Sequence, residues 1–121
     1  MVKILLIDDE AEILMLTRAL LEKNGYKVET AKSGAEGLKK LEKELPDLIL
    51  LDIMMPPPDG WEVCEKIKAD KNLRHIPVAM FTVRTSRKSR EKSLTHAKAD
   101  AQIDKPFDIE GLLKTIEEML G

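Results

Sequence analysis

Two short apolar runs, each ending in acid, constrain this chain more than any other feature. Ile4-Leu5-Leu6-Ile7 runs into Asp8-Asp9-Glu10, and Leu48-Ile49-Leu50-Leu51 runs into Asp52. Consecutive apolar residues bounded in this way read as strands covered on both faces, as in a parallel sheet flanked by helices. A buried strand that stops in carboxylates delivers negative charge to one end of the sheet. Crowded like charges repel. A hard cation relieves that repulsion, and carboxylate oxygens are the ligands that Mg2+ prefers. If the two strands lie parallel and adjacent, Asp8, Asp9 and Asp52 meet at one edge.

The rest of the chain alternates between the two periodicities. Ile13, Leu16 and Leu20, flanked by Leu14 and Leu21, recur at helical spacing until Asn24-Gly25, a pair that tolerates left-handed backbone and stops helices. Residues 26–31 predict a short strand with Val28 inward. Ser33-Gly34-Ala35-Glu36 has the form of a capping box. It opens a helix with a stripe of Ala35, Leu38, Leu41 and Leu45, which Pro46 ends. The second acid-ended strand follows. Pro56-Pro57-Pro58 then forbids helix and sheet alike and makes a stiff loop. Asp59 and Glu62 are placed to cap a third helix carrying Val63, Cys64 and Ile67. Residues 76–82 predict a fourth strand, with Pro77 tolerable at its start. Residues 84–97 are very polar, with Leu94 the main apolar residue, and predict a helix with little to bury. Residues 99–103 predict a fifth strand. Ile109, Leu112, Leu113, Ile116, Met119 and Leu120 form the strongest helical stripe, with Gly121 at the C-cap position.

Strand–helix repeated five times predicts an α/β domain spanning residues 1–121: a (βα)5, doubly wound, parallel five-stranded sheet. Right-handed crossovers favour the flavodoxin-like strand order 2-1-3-4-5, with the first and third strands adjacent at a switch point. Ligands of open α/β sheets bind there, outside the carboxyl ends of the strands. Asp8, Asp9 and Asp52 fall at that edge, as do Thr82, ending strand four, and Lys105, following strand five.

That set suits phosphoryl transfer, which asks a protein mostly for positioning and charge neutralisation. An aspartate serves as nucleophile and forms an aspartyl-phosphate. A cation held by acids and the Lys105 ammonium neutralise phosphoryl oxygens, and Thr82 donates a hydrogen bond to one.

In these residues the chain resembles the receiver domain of bacterial and archaeal two-component response regulators. The matching stretches are Ile7-Asp8-Asp9-Glu10, Leu50 to Pro56, Asp59-Gly60, Thr82 and Lys105-Pro106-Phe107, in the family's order and spacing. The resemblance implies that Asp52 accepts a phosphoryl group from a sensor histidine kinase. It implies that Asp9, Asp52 and the backbone carbonyl of Met54 bind Mg2+, with Asp8 acting largely through water. It implies that Thr82 and Lys105 contact the phosphoryl group and relay its presence. The chain departs from the pattern in three places. Gln102 stands where receivers carry Tyr or Phe, three residues before the Lys. Val83 follows the Thr where a small residue is common, and Pro56-Pro57 replaces the frequent Pro-Gly. With no aromatic switch at Gln102, the weakly anchored segment 84–97 is the expected carrier of the signal.

Other readings fail on particular residues. A phosphohydrolase of the haloacid dehalogenase type places a general acid two residues after its nucleophile, where this chain has Met54. A flavodoxin-like FMN carrier needs a Ser/Thr/Gly-rich phosphate loop where Asp8-Asp9-Glu10 stands. The expectation is therefore a phospho-switch and not an enzyme. Four aromatic residues and a net charge of −2 argue against a nucleic-acid platform. The basic residues among 84–92 read as a solvated helix face, and Glu10 as a helix cap. His75 and His96 stand alone, and Cys64 reads as a core residue. A single cysteine fits a reducing compartment, and no apolar run approaches a membrane span, so the cytoplasm is expected. Output is expected through a downstream effector protein or through a further part of a longer chain, with the chain a monomer or a phosphorylation-dependent dimer.

Overall fold

The computed structural model describes residues 1–82, 98–104 and 108–121, without the side chains of Thr82 and Asp104. The expected helix over residues 84–97, Val83, His96 and Lys105-Pro106-Phe107 lie outside the described residues. The described elements run in the order β1 (Lys3–Ile7), α1 (Ala11–Lys23), β2 (Lys27–Ala31), α2 (Gly34–Lys43), β3 (Leu48–Leu51), α3 (Gly60–Ala69), β4 (Val78–Thr82), β5 (Ala101–Asp104) and α4 (Ile109–Leu120). All strand pairs are parallel, and the order across the sheet is β2-β1-β3-β4-β5. Ile4 to Ile7 stand beside Leu48 to Leu51, so the two acid-ended strands are neighbours.

Alternation along the strands divides the core. Ile4, Leu6, Leu48, Leu50, Ala79 and Phe81 face Leu14 and Leu21 of α1 and Leu112 and Ile116 of α4. Leu5, Ile7, Ile49, Leu51, Val78 and Met80 face Leu41 of α2 and Val63, Cys64 and Ile67 of α3. Each fully buried Ile or Leu contributes roughly 1.5–3 kcal/mol, and β1 and β3 each carry four such residues. Gln102 is buried on β5 beside Met80. Ala101 and Ile103 belong to the α1/α4 face, so Gln102 turns to the other.

Local chemistry sets the helix ends. Gly25, at φ +92°, follows the Asn24 C-cap of α1. At α3 the Asp59 carboxylate accepts the Glu62 N–H at 2.9 Å, and Glu62 accepts the Asp59 N–H at 3.2 Å, a complete capping box. At α2 the box is half formed. The Ser33 hydroxyl accepts the Glu36 N–H, but the Glu36 carboxylate accepts the Lys32 N–H instead of that of Ser33.

Two stripes differ from expectation. The buried face of α1 is Leu14, Thr17 and Leu21, and Leu16 is exposed. The buried face of α2 is Gly34, Gly37 and Leu41, with Ala35 and Leu45 in solvent and the helix ending at Lys43, ahead of Pro46. β4 starts at Val78 and not at Ile76, and β5 is shifted towards the carboxyl end, from 99–103 to 101–104. Asp100 explains both starts. Its carboxylate accepts the Val78 N–H and the Lys68 ammonium, each at 2.8 Å, tying the entries of β4 and β5 to α3.

Candidate metal and phosphoryl site

The sheet ladder continues one residue beyond β1 and β3, and that extension places two carboxylates. The Asp8 N–H donates to the Ala31 carbonyl at 3.1 Å, and the Asp52 N–H donates to the Ile7 carbonyl at 2.9 Å. Both acids are therefore fixed in backbone where the sheet ends. Asp8 is wholly buried and Asp52 is 3 % exposed, whereas Asp9 faces solvent. One carboxylate oxygen from each of Asp8, Asp9 and Asp52 lies within 4.8 Å of the others.

The acids also shape the chain that follows them. Asp8 Oδ1 accepts the Glu10 N–H at 3.0 Å, which turns the chain into α1. Glu10 is the N-cap residue, as expected, but its side chain makes no capping bond. Asp52 Oδ1 accepts the Met54 N–H at a long 3.4 Å, and the Met55 and Gly60 N–H groups both donate to the Ile53 carbonyl at 3.0 Å. The loop after Asp52 is thus folded back on its own start. A groove of about 350 Å³ beside it is lined by Ile53, Met54, Met55, Pro56, Asp59 and Trp61. A larger cleft of about 550 Å³ lies between the C-terminal ends of α2 and α3, away from the acids.

The structure brings Asp8, Asp9 and Asp52 together, with Met54 two residues further along the loop. Thr82 ends β4 and pairs in register with Asp104, which ends β5. Its backbone is at the carboxyl edge, and its side chain and all of Lys105 lie outside the described residues. Cys64 is buried, and burial pushes its thiol up to about 12. That is the behaviour of a core residue, not of a nucleophile. Gly34, named above only within the capping-box stretch, is buried at the start of α2, and glycine gives no signal of burial in apolar spacing. The motif reading missed Asp108, which accepts the Glu110 N–H as N-cap of α4.

The donor set fits a small hard cation. Three carboxylates supply oxygen only, and Mg2+–oxygen bonds of about 2.1 Å put ligands no more than about 4.2 Å apart. The acid oxygens lie within 4.8 Å of one another, close to that span, so the set would hold such an ion after a small movement of side chains. Among the described residues no helix is long and apolar enough to cross a membrane.

Comparison with known proteins agrees with this geometry. The sequence pattern of the response regulator receiver domain matches residues 4–117. The chain is 43% identical over 105 residues to the alkaline phosphatase synthesis transcriptional regulatory protein PhoP of Bacillus subtilis, covering 87% of this chain and 42% of that protein. It is 41% identical to the response regulator PleD of Caulobacter vibrioides, covering 88% of this chain and 23% of that protein. The chain thus spans less than half the length of these two relatives. The polar-differentiation response regulator DivK of Brucella ovis is 35% identical over 98% of this chain and 95% of its own length. Among solved structures, chemotaxis protein CheY4 of Vibrio cholerae superposes with a TM-score of 0.91 at 33% identity, over 98% of each chain. Response regulator protein TrrA of Thermotoga maritima, in complex with Mg2+–BeF, superposes with a TM-score of 0.87 at 32% identity, over 98% of this chain and 99% of its own.

Proposed function

Because this chain belongs to the response regulator receiver domain family, a family of phosphoacceptor signalling domains, we propose that Asp52 is its phosphoacceptor and that a sensor histidine kinase is the donor. The observation that carries the assignment is the meeting of three carboxylates within 4.8 Å. Of the three, Asp52 alone ends the central strand β3 and opens a loop folded back on itself. In the transfer, an Asp52 carboxylate oxygen forms a bond to phosphorus as the bond from phosphorus to the donor nitrogen breaks. Asp9, Asp52 and the Met54 carbonyl would hold Mg2+ directly, with Asp8 acting through water. The ion, when bound, supplies positive charge against the phosphoryl oxygens.

Thr82 and Lys105 are assigned to the phosphoryl oxygens, one by hydrogen bond and one by charge. Their places at the end of β4 and just after β5 support this. Asp8, by accepting the Glu10 N–H, also holds the start of α1 beside the site. The absence of a general acid at Met54 argues for a switch over a turnover enzyme. Residues 1–121 act as one receiver unit in the cytoplasm, with a downstream protein reading the phosphorylated state. Incubation with acetyl phosphate and Mg2+ is expected to add one phosphoryl group to the intact mass, and Asp52→Asn to abolish the addition. Undiminished labelling of that variant refutes the assignment.

A further inference from the structure

The loop between β3 and α3 is approached by two glycines at which no side chain fits. A Cβ on Gly60 would lie 2.2 Å from the Asp52 carbonyl oxygen and 2.6 Å from the Ile53 Cα. A Cβ on Gly34, the first residue of α2, would lie 2.7 Å from the Pro58 carbonyl oxygen and 2.6 Å from Val63 Cγ2. Real Cβ contacts essentially never fall below 3.0 Å. Neither glycine has a positive φ, so closeness and not backbone conformation requires it. The nearest obstructing loop atoms are main-chain atoms, with Cγ of the Pro58 ring next at 3.0 Å from a Cβ on Gly34, and neither main chain nor a proline ring rotates aside as a side-chain tip does.

The loop is therefore gripped at both ends. The start of α3 sits on Asp52 and Ile53, and the start of α2 sits on Pro58. Both grips are themselves fixed. The capping box of Asp59 and Glu62 sets the first turn of α3, and the Ser33 hydroxyl sets that of α2. Gly34 lies on a different element from the acids and meets their loop through Pro58.

We infer that Gly34 and Gly60 are positioning residues for phosphoryl acceptance: they let α2 and α3 seat closely enough on the β3–α3 loop to hold the backbone of Asp52 and Met54 in its reacting geometry. The inference rests on the receiver reading above. A third glycine supplies the comparison. A Cβ on Gly37, also on α2, would lie 2.4 Å from Ile7 Cδ1, a side-chain atom outside the loop. Gly37→Ala perturbs the same helix and meets only the Ile7 side chain, whereas it is the Ile7 carbonyl that holds the Asp52 N–H, so the loop itself is not pushed.

The test measures phosphoryl uptake from acetyl phosphate at saturating Mg2+, at a temperature where circular dichroism shows each variant folded. Gly34→Ala is made alone and with Val63→Ala, which removes the Cγ2 obstacle and leaves the Pro58 one. Uptake is expected to fall about tenfold or more in both Gly34 variants and in Gly60→Ala, and to stay within about twofold of wild type in Gly37→Ala even where its melting temperature drops. Amide exchange of Met55 and Gly60, both bonded to the Ile53 carbonyl, is expected to quicken in the Gly34 variants. Wild-type uptake by the Gly34→Ala/Val63→Ala pair overturns the inference. So does slowing of Gly37→Ala in step with Gly34→Ala. If the wild-type chain takes no phosphoryl group, the receiver reading fails by itself, and unchanged exchange at Met55 and Gly60 in the Gly34 variants overturns the grip independently.

Discussion

Replacing Asp8 by Asn removes one of three crowded charges and keeps the oxygen that accepts the Glu10 N–H at 3.0 Å. Asp8 and Asp52 are both buried and offer oxygens within 4.8 Å of each other. At that separation and an effective dielectric of about 20, two unit charges repel by about 3.5 kcal/mol. Relaxation of the side chains reduces this, so a gain of about 1–3 kcal/mol is expected for Asp8→Asn without metal. For a domain of 121 residues, 1 kcal/mol corresponds to about 4 °C in melting temperature. The variant should therefore melt about 4–12 °C above wild type in EDTA. With Mg2+ the order should narrow or reverse, because the ion binds the folded state and stabilises wild type by about 2.7 kcal/mol at a hundred times its Kd. The assay is a pair of thermal melts, in EDTA and in millimolar Mg2+. An Asp8→Asn variant less stable than wild type in EDTA, or gaining as much from Mg2+, refutes the reasoning that crowding of the acids weakens the metal-free fold.

Two further perturbations follow from the packing. Thr17 is fully buried on α1, and its hydroxyl has no hydrogen-bond partner among the described residues. An unsatisfied buried group costs about 1–3 kcal/mol, so Thr17→Val should raise the melting temperature by about 4 °C or more, and a lower value contradicts the reading. At the amino end of β1, Lys3 pairs with Glu29 at 3.0 Å and with Glu44 at 2.6 Å. The Lys3 bond holds the Glu29 carboxyl below its ordinary 4.5 against the opposing pull of burial. A lowered carboxyl contributes stability that is present above its unfolded pKa and lost as pH falls through the folded one. Stability measured by urea melts should thus fall less steeply below about pH 4.5 in Glu29→Gln than in wild type. The difference should be small and shrink in high salt, since Glu29 is 39 % exposed and such pairs are screened. Parallel slopes contradict the pairing.

The sheet was legible because β1 and β3 are covered on both faces, and continuous apolar runs leave no second register to choose. The meeting of Asp8, Asp9 and Asp52 was legible for the same reason: these acids begin where those runs stop. Helix faces were less so. In α1, the triplets Ile13/Leu16/Leu20 and Leu14/Thr17/Leu21 have the same spacing, and the buried one contains a threonine that apolar counting passes over. In α2 the face against the core is glycine at two of three positions, selected because Ile7, Val63 and Pro58 leave no room for a Cβ. Close approach is a property of neighbours distant in sequence and leaves no periodic trace. The start of β5 was misplaced because Asp100, a polar residue, anchors it through the Val78 N–H and Lys68.

The central claim is that Asp52 carries an acyl phosphate. Borohydride reduces an acyl phosphate to the alcohol, so the phosphorylated aspartate becomes homoserine and can be located by peptide sequencing in a mass spectrometer. After treatment with acetyl phosphate and Mg2+, the account predicts homoserine at position 52, with Asp8 and Asp9 unchanged. Homoserine at position 8 or 9, or a phosphoryl group that survives borohydride, contradicts it.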